Sequence, residues 1–221
     1  PNLLAAAAAQ RTKRLKLLIY GNVLPVHEPL RLAEELAMLD CISNGRVISG
    51  FVRGIPREYV VYGVPFTESR ARFDEAWEII SRAWTEEVFS HQGRYYNSPP
   101  REVIPKPVQK PHPPIWVACS QKDTFTLAGQ KGIGALAFTV GAPGELEARI
   151  CAYKDAVKDA IPVGGFVNDQ IAAFTIAYCD ENNERAREIG GEAGSWYFAN
   201  ARMRHDRDWA GVDPNLIPED Y

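Results

Sequence analysis

Short apolar runs alternate with amphipathic runs along most of this chain. Five of the apolar runs are nearly continuous and rich in β-branched or aromatic residues, which is typical of strands buried on both faces. They occupy residues 15–23, 47–52, 115–119, 133–139 and 171–179. Between them, apolar residues recur every three or four positions, as in amphipathic helices. Strands that alternate with helices in this way predict an α/β protein with a parallel sheet.

The helical runs carry recognisable start signals. We predict helices over residues 3–9, 30–39, 67–84, 123–132, from 143 onward, and over 183–203. Thr67 is a suitable N-cap for the third of these helices, and Asp123 or Thr124 for the fourth. The apolar side chains of the third helix fall on one stripe, which predicts a buried face. That stripe consists of Phe73, Ala76, Trp77, Ile80 and Trp84.

The helix at 30–39 has an unusually wide apolar surface that few charged residues interrupt. Packing on a single sheet requires only a stripe of such residues. The additional apolar surface suggests a second interface, which we interpret as a dimer contact.

The segment 89–114 departs from the alternation of strands and helices. It holds seven of the sixteen prolines, and proline is disfavoured in helix interiors and central strands. We therefore predict a surface excursion that begins with a hairpin near Gly93 and continues as extended chain. His112 lies among these prolines, and we expect it to order the excursion.

The composition limits the class of protein. The chain has 221 residues, of which 46% are hydrophobic and 24% charged, and its net charge is −3. These values are typical of one globular domain and argue against a nucleic acid or a membrane as a partner. The four cysteines lie far apart without a CxxC pair, which favours a reduced, cytoplasmic protein. No cluster of histidine, cysteine and acidic residues has the spacing of a metal site.

Several segments between residues 24 and 132 occur in the order found in one known family. The longest is 45–54 (GRVISGFVRG), and others are 33–40 (AEELAMLD), 69–71 (SRA) and 110–118 (KPHPPIWVA). On these segments, the chain resembles the bacterial-luciferase-like flavin-dependent monooxygenases. From residue 142 onward, only the pattern of strands and helices is similar.

The resemblance implies a TIM-type (β/α)8 barrel with an insertion between its fourth helix and its fifth strand. Segment 89–114 falls at the position of that insertion. The five predicted strands would then be strands three to seven of the barrel, and strands one, two and eight would lie outside the chain. We therefore expect residues 1–221 to form a single barrel domain that is incomplete at both ends.

The resemblance also implies reduced flavin mononucleotide (FMN) as the cofactor. Arg53 and Arg70 match two family arginines that contact the flavin phosphate, and Gly54 lets the backbone come close. In barrel enzymes such groups lie at the C-terminal ends of strands. Two other interpretations remain open, namely a surface ion pair for Arg53 and a solvated helix charge for Arg70.

The turn 119–124 follows a predicted strand and begins a helix, so its amides are suited to binding phosphate. The family pattern there is Ser-x-x-Ser/Thr, which aligns Gln121 with the serine and Thr124 with the threonine. Gln121 departs from the pattern, and either Ser120 or backbone amides would have to substitute. A simple N-cap turn is the alternative. Val52 matches a family cysteine near the flavin ring, although it is equally suited to a strand core.

The implied activity is the oxidation of a small organic substrate by O2, with reduced FMN supplied by a separate flavin reductase. The helices at 3–9 and 30–39 correspond to the dimer-forming region of the family, so we expect a homodimer. A histidine often assigned to catalysis in the family lies on the second strand, outside this chain, and the catalytic residues are therefore unassigned. His27 and Glu28 follow the third strand and face the expected mouth of the pocket.

Three other functions remain open at this point. A non-catalytic flavin-binding member of the same fold is favoured by the departure at Gln121. A deazaflavin-dependent oxidoreductase is another branch with the same fold. An unrelated barrel hydrolase or isomerase is the third, because this barrel hosts many chemistries.

Overall fold

The central element of the fold is a sheet of five parallel strands. The computed structural model describes residues 1–138 and 143–208. Its strands are, in chain order, Leu17–Val23 (β1), Val47–Val52 (β2), Phe89–Gln92 (β3), Asn97–Arg101 (β4), Ile115–Cys119 (β5), Gly134–Phe138 (β6) and Ile171–Phe174 (β7). The sheet has the order β1–β2–β5–β6–β7, and each strand is parallel to the next. The predicted parallel α/β fold is confirmed. Thr139, the predicted end of the fourth run, lies outside the described residues.

Helices connect the strands of the sheet. They are Asn2–Arg11 (α1), Pro29–Ser43 (α2), Pro56–Tyr62 (α3), Ser69–Thr85 (α4), Lys122–Gln130 (α5), Pro143–Ala156 (α6) and Asn183–Asp208 (α7). Short 3-10 turns occupy Leu24–Val26, Phe66–Glu68 and Val157–Asp159. The short helix α3 is not predicted from the sequence, whereas the others are. No helix within the described residues has the length and apolar character needed to cross a membrane.

The two faces of the sheet have different surroundings. Ile19 of β1 lies opposite Ser49 of β2, and both are buried on the face that the helices cover. The opposite face carries Leu18 and Phe174, which are 41% and 46% exposed. A closed barrel of eight strands would bury this second face in its interior. The five described strands instead leave an open sheet with β1 and β7 at its edges, which is the incomplete barrel that we predicted.

Helix α4 packs through the predicted apolar stripe, and all five residues of that stripe are buried. The indole N–H of Trp84 donates to the carbonyl of Ala33 at 2.9 Å and thereby joins α4 to α2. The helix begins at Ser69 because Phe66–Glu68 form a 3-10 turn before it, so the predicted N-cap at Thr67 is wrong.

Helix α2 is enclosed within the chain more fully than the sequence suggests. Alanines on the inner face of α1 pack into the same hydrophobic core as α2. Arg46, which is buried, donates to the carbonyl of Ala9 at 2.8 Å and so holds the end of α1 in place. On another side, Trp84 of α4 contacts α2. Helices α1 and α4 therefore cover much of the apolar surface of α2, whereas Met38 and Ile42 stay 38% and 47% exposed.

The Pro-rich insertion forms the predicted hairpin, in which β3 and β4 are antiparallel. The carboxylate of Glu75, on α4, accepts hydrogen bonds from the amides of Tyr95 at 3.1 Å and Tyr96 at 2.9 Å. It also lies 3.1 Å from Nε2 of His91 on the hairpin. Further along, the ammonium of Lys106 donates to a carbonyl near the C-terminal end of α4 at 2.8 Å. The insertion is thus fastened to α4 at two places.

His112, near the end of the insertion, is buried with both ring nitrogens engaged. Nδ1 lies 2.8 Å from the carbonyl of Pro113, and Nε2 accepts a hydrogen bond from the amide of Gly165 at 2.7 Å. The ring stacks on Phe166 with the centroids 5.1 Å apart. The prediction that His112 orders this part of the chain is confirmed.

We expect the free energy of unfolding to decrease in acid because of His112. Burial lowers the pKa of His112, and protonation at Nε2 would break the bond from Gly165. Below about pH 6.5 the unfolded chain therefore binds more protons than the folded one. The free energy of unfolding then falls by up to about 1.4 kcal/mol for each pH unit. Urea denaturation from about pH 7 to about pH 5 measures this slope. In the His112→Gln variant, the free energy of unfolding should fall less steeply with decreasing pH than in the wild-type protein. His27 is present in both proteins and contributes equally to both slopes. Identical slopes would contradict the assignment of the acid sensitivity to His112.

Candidate functional site

Arg53 and Gly54 follow directly after β2, at the C-terminal end of the strand. Gly54 has a φ of 92°, a backbone conformation that favours glycine. A Cβ atom at this position would also lie only 2.5 Å from Cγ1 of Val23, at the end of β1. The glycine therefore permits the turn by which the chain leaves the sheet immediately after Arg53.

Helix α3 and the turn after it position Arg53. The hydroxyl of Tyr59, on α3, donates to the carbonyl of Arg53. The Tyr59 ring lies 5.8 Å from the ring of Phe66, and Cζ of Arg53 lies 5.9 Å from the Phe66 centroid, which is within cation–π range. Burial raises the pKa of Tyr59, and a hydrogen bond with Ser69, followed by the charges of Arg53 and Arg70, opposes that rise. The backbone and the side chain of Arg53 are thus both in contact with this short segment.

Arg53, Arg70 and Thr124 line one narrow cleft near the C-terminal ends of β2 and β5. Its volume is about 30 Å³, which is room for a water-sized group. The remaining walls are apolar or aromatic side chains from β5, α4 and α5, namely Phe73, Trp77, Val117, Ala118, Leu127 and Ala128.

The positive charges in this cleft are not neutralised by the described part of the chain. Among the described residues, no carboxylate lines the cleft. Neither Arg53 nor Arg70 takes part in an ion pair with another described residue. The ion-pair interpretation of Arg53 is therefore not supported within these ranges. Two cations beside an apolar cleft are chemically suited to a small anion with several oxygens, such as a phosphate monoester.

The turn before α5 has a different hydrogen-bonding arrangement from the expected one. Gln121 is the N-cap, and the helix begins at Lys122, so the predicted caps at Asp123 and Thr124 are wrong. Thr124 reaches back instead: its hydroxyl donates to the Gln121 carbonyl at 2.6 Å and accepts from the Gln121 amide at 3.2 Å. Because the hydroxyl proton is already used in this way, Thr124 offers a ligand only a lone pair unless that bond opens.

Four of the expected cofactor residues do not line the cleft, namely Val52, Gly54, Ser120 and Gln121, although Gly54 directly follows Arg53. The side chains of Ser120 and Gln121 are exposed, and neither lines the cleft. Val52 is half-buried and pairs with Val23, on the face of the sheet opposite to that of Phe51. That face is the one a closed barrel would turn inward. The structure therefore brings together two cations and Thr124, with Val52 on the neighbouring face.

Glu28 and His27, after β1, have local roles in the structure. The carboxylate of Glu28 accepts a hydrogen bond from the amide of Arg31 at 2.6 Å and caps α2. Burial lowers the pKa of His27, and the nearby Glu35 carboxylate opposes that change. Neither side chain lines the cleft. In the described ranges, no group of three or more histidine, cysteine or acidic residues is arranged to hold a metal ion.

Sequence reasoning missed the contribution of α3 to the site. The signals were present: Pro56 suits the first helical position, Glu58 accepts from the amide of Ile55 at 2.8 Å, and Gly63 ends the helix in the left-handed conformation. Trp77 was assigned only to the buried stripe of α4, although it also lines the cleft.

A family model described as luciferase-like monooxygenase matches residues 1–221. The chain belongs to this family. Among solved structures, this luciferase-like chain is similar to monooxygenase RslO1 from Streptomyces bottropensis, with 35% identity and a TM-score of 0.80. That match covers 95% of this chain and 65% of the other. The resemblance inferred from the sequence and the assignment to an incomplete TIM-type barrel are both confirmed.

Two curated relatives of this luciferase-like chain illustrate the range of cofactors among its homologues. It is 35% identical to the oxygenase component of flavin-dependent trigonelline monooxygenase from Acinetobacter baylyi, over 60% of this chain and 37% of the relative. It is 34% identical to F420-dependent glucose-6-phosphate dehydrogenase from Kineococcus radiotolerans, over 49% of this chain and 32% of the relative. The chain spans less than two thirds of the length of each of these proteins and of the matched structure.

Proposed function

We propose that this protein is a flavin-dependent monooxygenase that uses reduced FMN and O2 to oxidise a small organic substrate. The observation that carries the proposal is the meeting of Arg53 and Arg70 in one cleft at the C-terminal ends of parallel strands. This is the position at which barrel enzymes bind phosphate groups. The family of the chain and its flavin-dependent relative support the same activity.

The residues present fit the phosphate end of FMN. A phosphate monoester carries up to two negative charges at neutral pH, and the two guanidinium groups supply matching charge and donors in a fork geometry. The N-terminus of α5 borders the cleft through Thr124 and adds a favourable dipole. Backbone amides of the turn, rather than the exposed side chains of Ser120 and Gln121, would replace the serine of the family pattern.

The flavin supplies the oxidative chemistry when it is bound, and the chain supplies binding, orientation and exclusion of water. Gly54 sets the direction in which Arg53 leaves β2, and Tyr59 and Phe66 hold it there. We propose that Val52, one residue before Arg53, borders the flavin ring and keeps that region apolar. No described residue is assigned a catalytic role.

We further propose a homodimer in the cytoplasm that receives reduced FMN from a separate flavin reductase. Leu3 and Leu4 on α1 are 89% and 77% exposed, and this apolar surface supports a contact with a second copy. The four cysteines are free, which is consistent with a reducing compartment.

Two alternatives follow from specific observations. The F420-dependent relative favours a deazaflavin as the cofactor. The departure at Gln121, together with the engaged hydroxyl of Thr124, favours a member that binds flavin without turning over a substrate.

Anaerobic titration of the protein with reduced FMN, reduced riboflavin and reduced F420 tests the proposal. Riboflavin lacks the phosphate, so we expect it to bind about 100-fold more weakly than FMN, the effect of losing strong charged hydrogen bonds. F420 should also bind more weakly than FMN. Equal binding of FMN and riboflavin, or a preference for F420, would overturn the FMN assignment. Bound FMN without O2-dependent product from a panel of aldehydes, alkanes and ketones would favour the non-catalytic alternative.

A further inference from the structure

Trp77, which lines the cleft, carries a hydrogen-bond donor without a partner among the described residues. Its side chain is 1% exposed, and its indole nitrogen Nε1 is buried with no hydrogen-bond partner among the described residues. Trp84, two turns later on the same helix, shows the usual situation, because its Nε1 donates to the carbonyl of Ala33 at 2.9 Å. Two buried tryptophans on one helix therefore differ in whether the protein satisfies their N–H group.

A buried donor without an acceptor is unusual, so it calls for a partner beyond the described residues. The other contacts of Trp77 do not supply one. The ring of Phe73 packs against it at 5.1 Å between centroids, nearly perpendicular. The ammonium of Lys131 lies 5.7 Å from the ring centroid and is itself a donor.

The cleft limits which ligand is able to satisfy this group. The indole N–H is a donor only, and the neighbouring walls of Phe73, Leu127 and Ala128 are apolar side chains with no acceptor atom. Among the described lining side chains, Thr124 alone has an acceptor oxygen, and that oxygen already accepts from the amide of Gln121, so we expect the acceptor for Trp77 to enter with the ligand. The two arginines at the same cleft select a ligand whose end group is anionic and rich in acceptor oxygens.

We propose that Trp77 is a further cofactor-binding residue, whose indole N–H donates to an oxygen of the phosphoryl group held by Arg53 and Arg70. This inference rests on the proposed function and deepens it. Arg53 and Arg70 supply charge, and Trp77 supplies a fixed donor within an apolar wall. One phosphoryl oxygen is about the size of a water molecule, so a single oxygen of the group, rather than the whole group, fits into the cleft beside Trp77. The residue therefore contributes to the selection of FMN over flavins without a phosphate.

The indole ¹H–¹⁵N resonance of Trp77 gives a direct test in the intact protein. Addition of FMN or of inorganic phosphate should shift this resonance, whereas riboflavin should not, because only the first two offer a phosphoryl oxygen. In the Trp77→Phe variant, which removes the donor and keeps an aromatic ring, FMN should bind about tenfold more weakly and riboflavin unchanged. A Trp77 resonance that FMN leaves unmoved would overturn the inference even if the variant failed to fold.

Two control variants separate the failure of this inference from the failure of the proposed function. Trp84→Phe removes an indole N–H of the same helix away from the cleft and should leave the preference for FMN over riboflavin intact. One outcome would overturn only the inference about Trp77. In it, the wild-type protein prefers FMN, the Arg53→Ala variant loses that preference, and the Trp77→Phe variant keeps it. If the wild-type protein shows no preference, the phosphate site itself is wrong and the inference about Trp77 falls with it.

Discussion

The Arg53→Ala variant is expected to bind reduced FMN about 100-fold more weakly than the wild-type protein while binding reduced riboflavin equally well. The guanidinium of Arg53 lies at a cleft whose other walls are largely apolar, so a hydrogen bond to a phosphate oxygen there is charge-assisted and poorly screened. Arg70 lines the same cleft but is exposed, so we expect Arg70→Ala to cost less, about tenfold. Anaerobic fluorescence titration with the two flavins measures both effects.

Two further variants distinguish a specific role of Arg53 from a general effect of charge. Arg53→Lys keeps the charge but loses the planar fork, and we expect it to recover only part of the affinity. Arg82→Ala removes an arginine of α4 that pairs with Glu86 at 2.6 Å, away from the cleft, and should leave FMN binding unchanged. If Arg53→Ala bound FMN as tightly as wild type, or lost FMN and riboflavin equally, Arg53 would not be a phosphate ligand.

The sequence was sufficient to predict the sheet because its strands have a strong local signature. Nearly continuous apolar runs such as 47–52 and 115–119 match β2 and β5 at both ends. Helix α3 was missed for the opposite reason. It has only seven residues, too few for a clear helical period, and its evidence lies in caps that are easily interpreted as a loop.

The ends of helices depended on interactions that a pattern does not specify. The residues before α4 form a 3-10 turn, which moves the start of the helix from Thr67 to Ser69. At α5, a threonine hydroxyl can cap the helix or, from the third helical position, hydrogen-bond to the residue at the cap, and the sequence pattern does not distinguish the two arrangements. The structure has the second arrangement, in which Gln121 is the N-cap and the hydroxyl of Thr124 hydrogen-bonds to the backbone of Gln121.

The candidate site was predicted only in part. Short sequence segments identify its arginines, whereas the side chains that line the cleft are determined by how the helices pack on the sheet. Arg53 and Arg70 meet at the cleft as expected. The helical period assigned Trp77 to a buried stripe, but a period gives only the direction of a side chain and not whether its N–H finds an acceptor. The apolar width of α2 reflects packing in the same way, since the sequence did not indicate that α1 and α4 would both pack against it, and the dimer contact inferred from that width stays a prediction.

The Trp84→Ala variant should lower the free energy of unfolding by about 3–5 kcal/mol, the range for removing a fully buried large aromatic side chain. The substitution opens a cavity between α4 and α2 and leaves the carbonyl of Ala33 without its donor. Urea denaturation measures the change, and Trp84→Phe, which fills most of the space, should lose less. A change in Trp84→Ala no larger than that in Trp84→Phe would contradict the role assigned to packing at this contact.

The same variant also tests whether stability and cofactor selection are separable in this fold. Trp84 lies on α4 beyond Trp77, on the part of the helix that contacts α2, whereas Arg70 and Trp77 line the cleft. The folded fraction of Trp84→Ala should therefore retain the preference for FMN over riboflavin, even though less of the protein is folded. A lost preference in molecules that remain folded would mean that the position of α4 against α2, and not only its cleft-facing side chains, sets the geometry at Arg70.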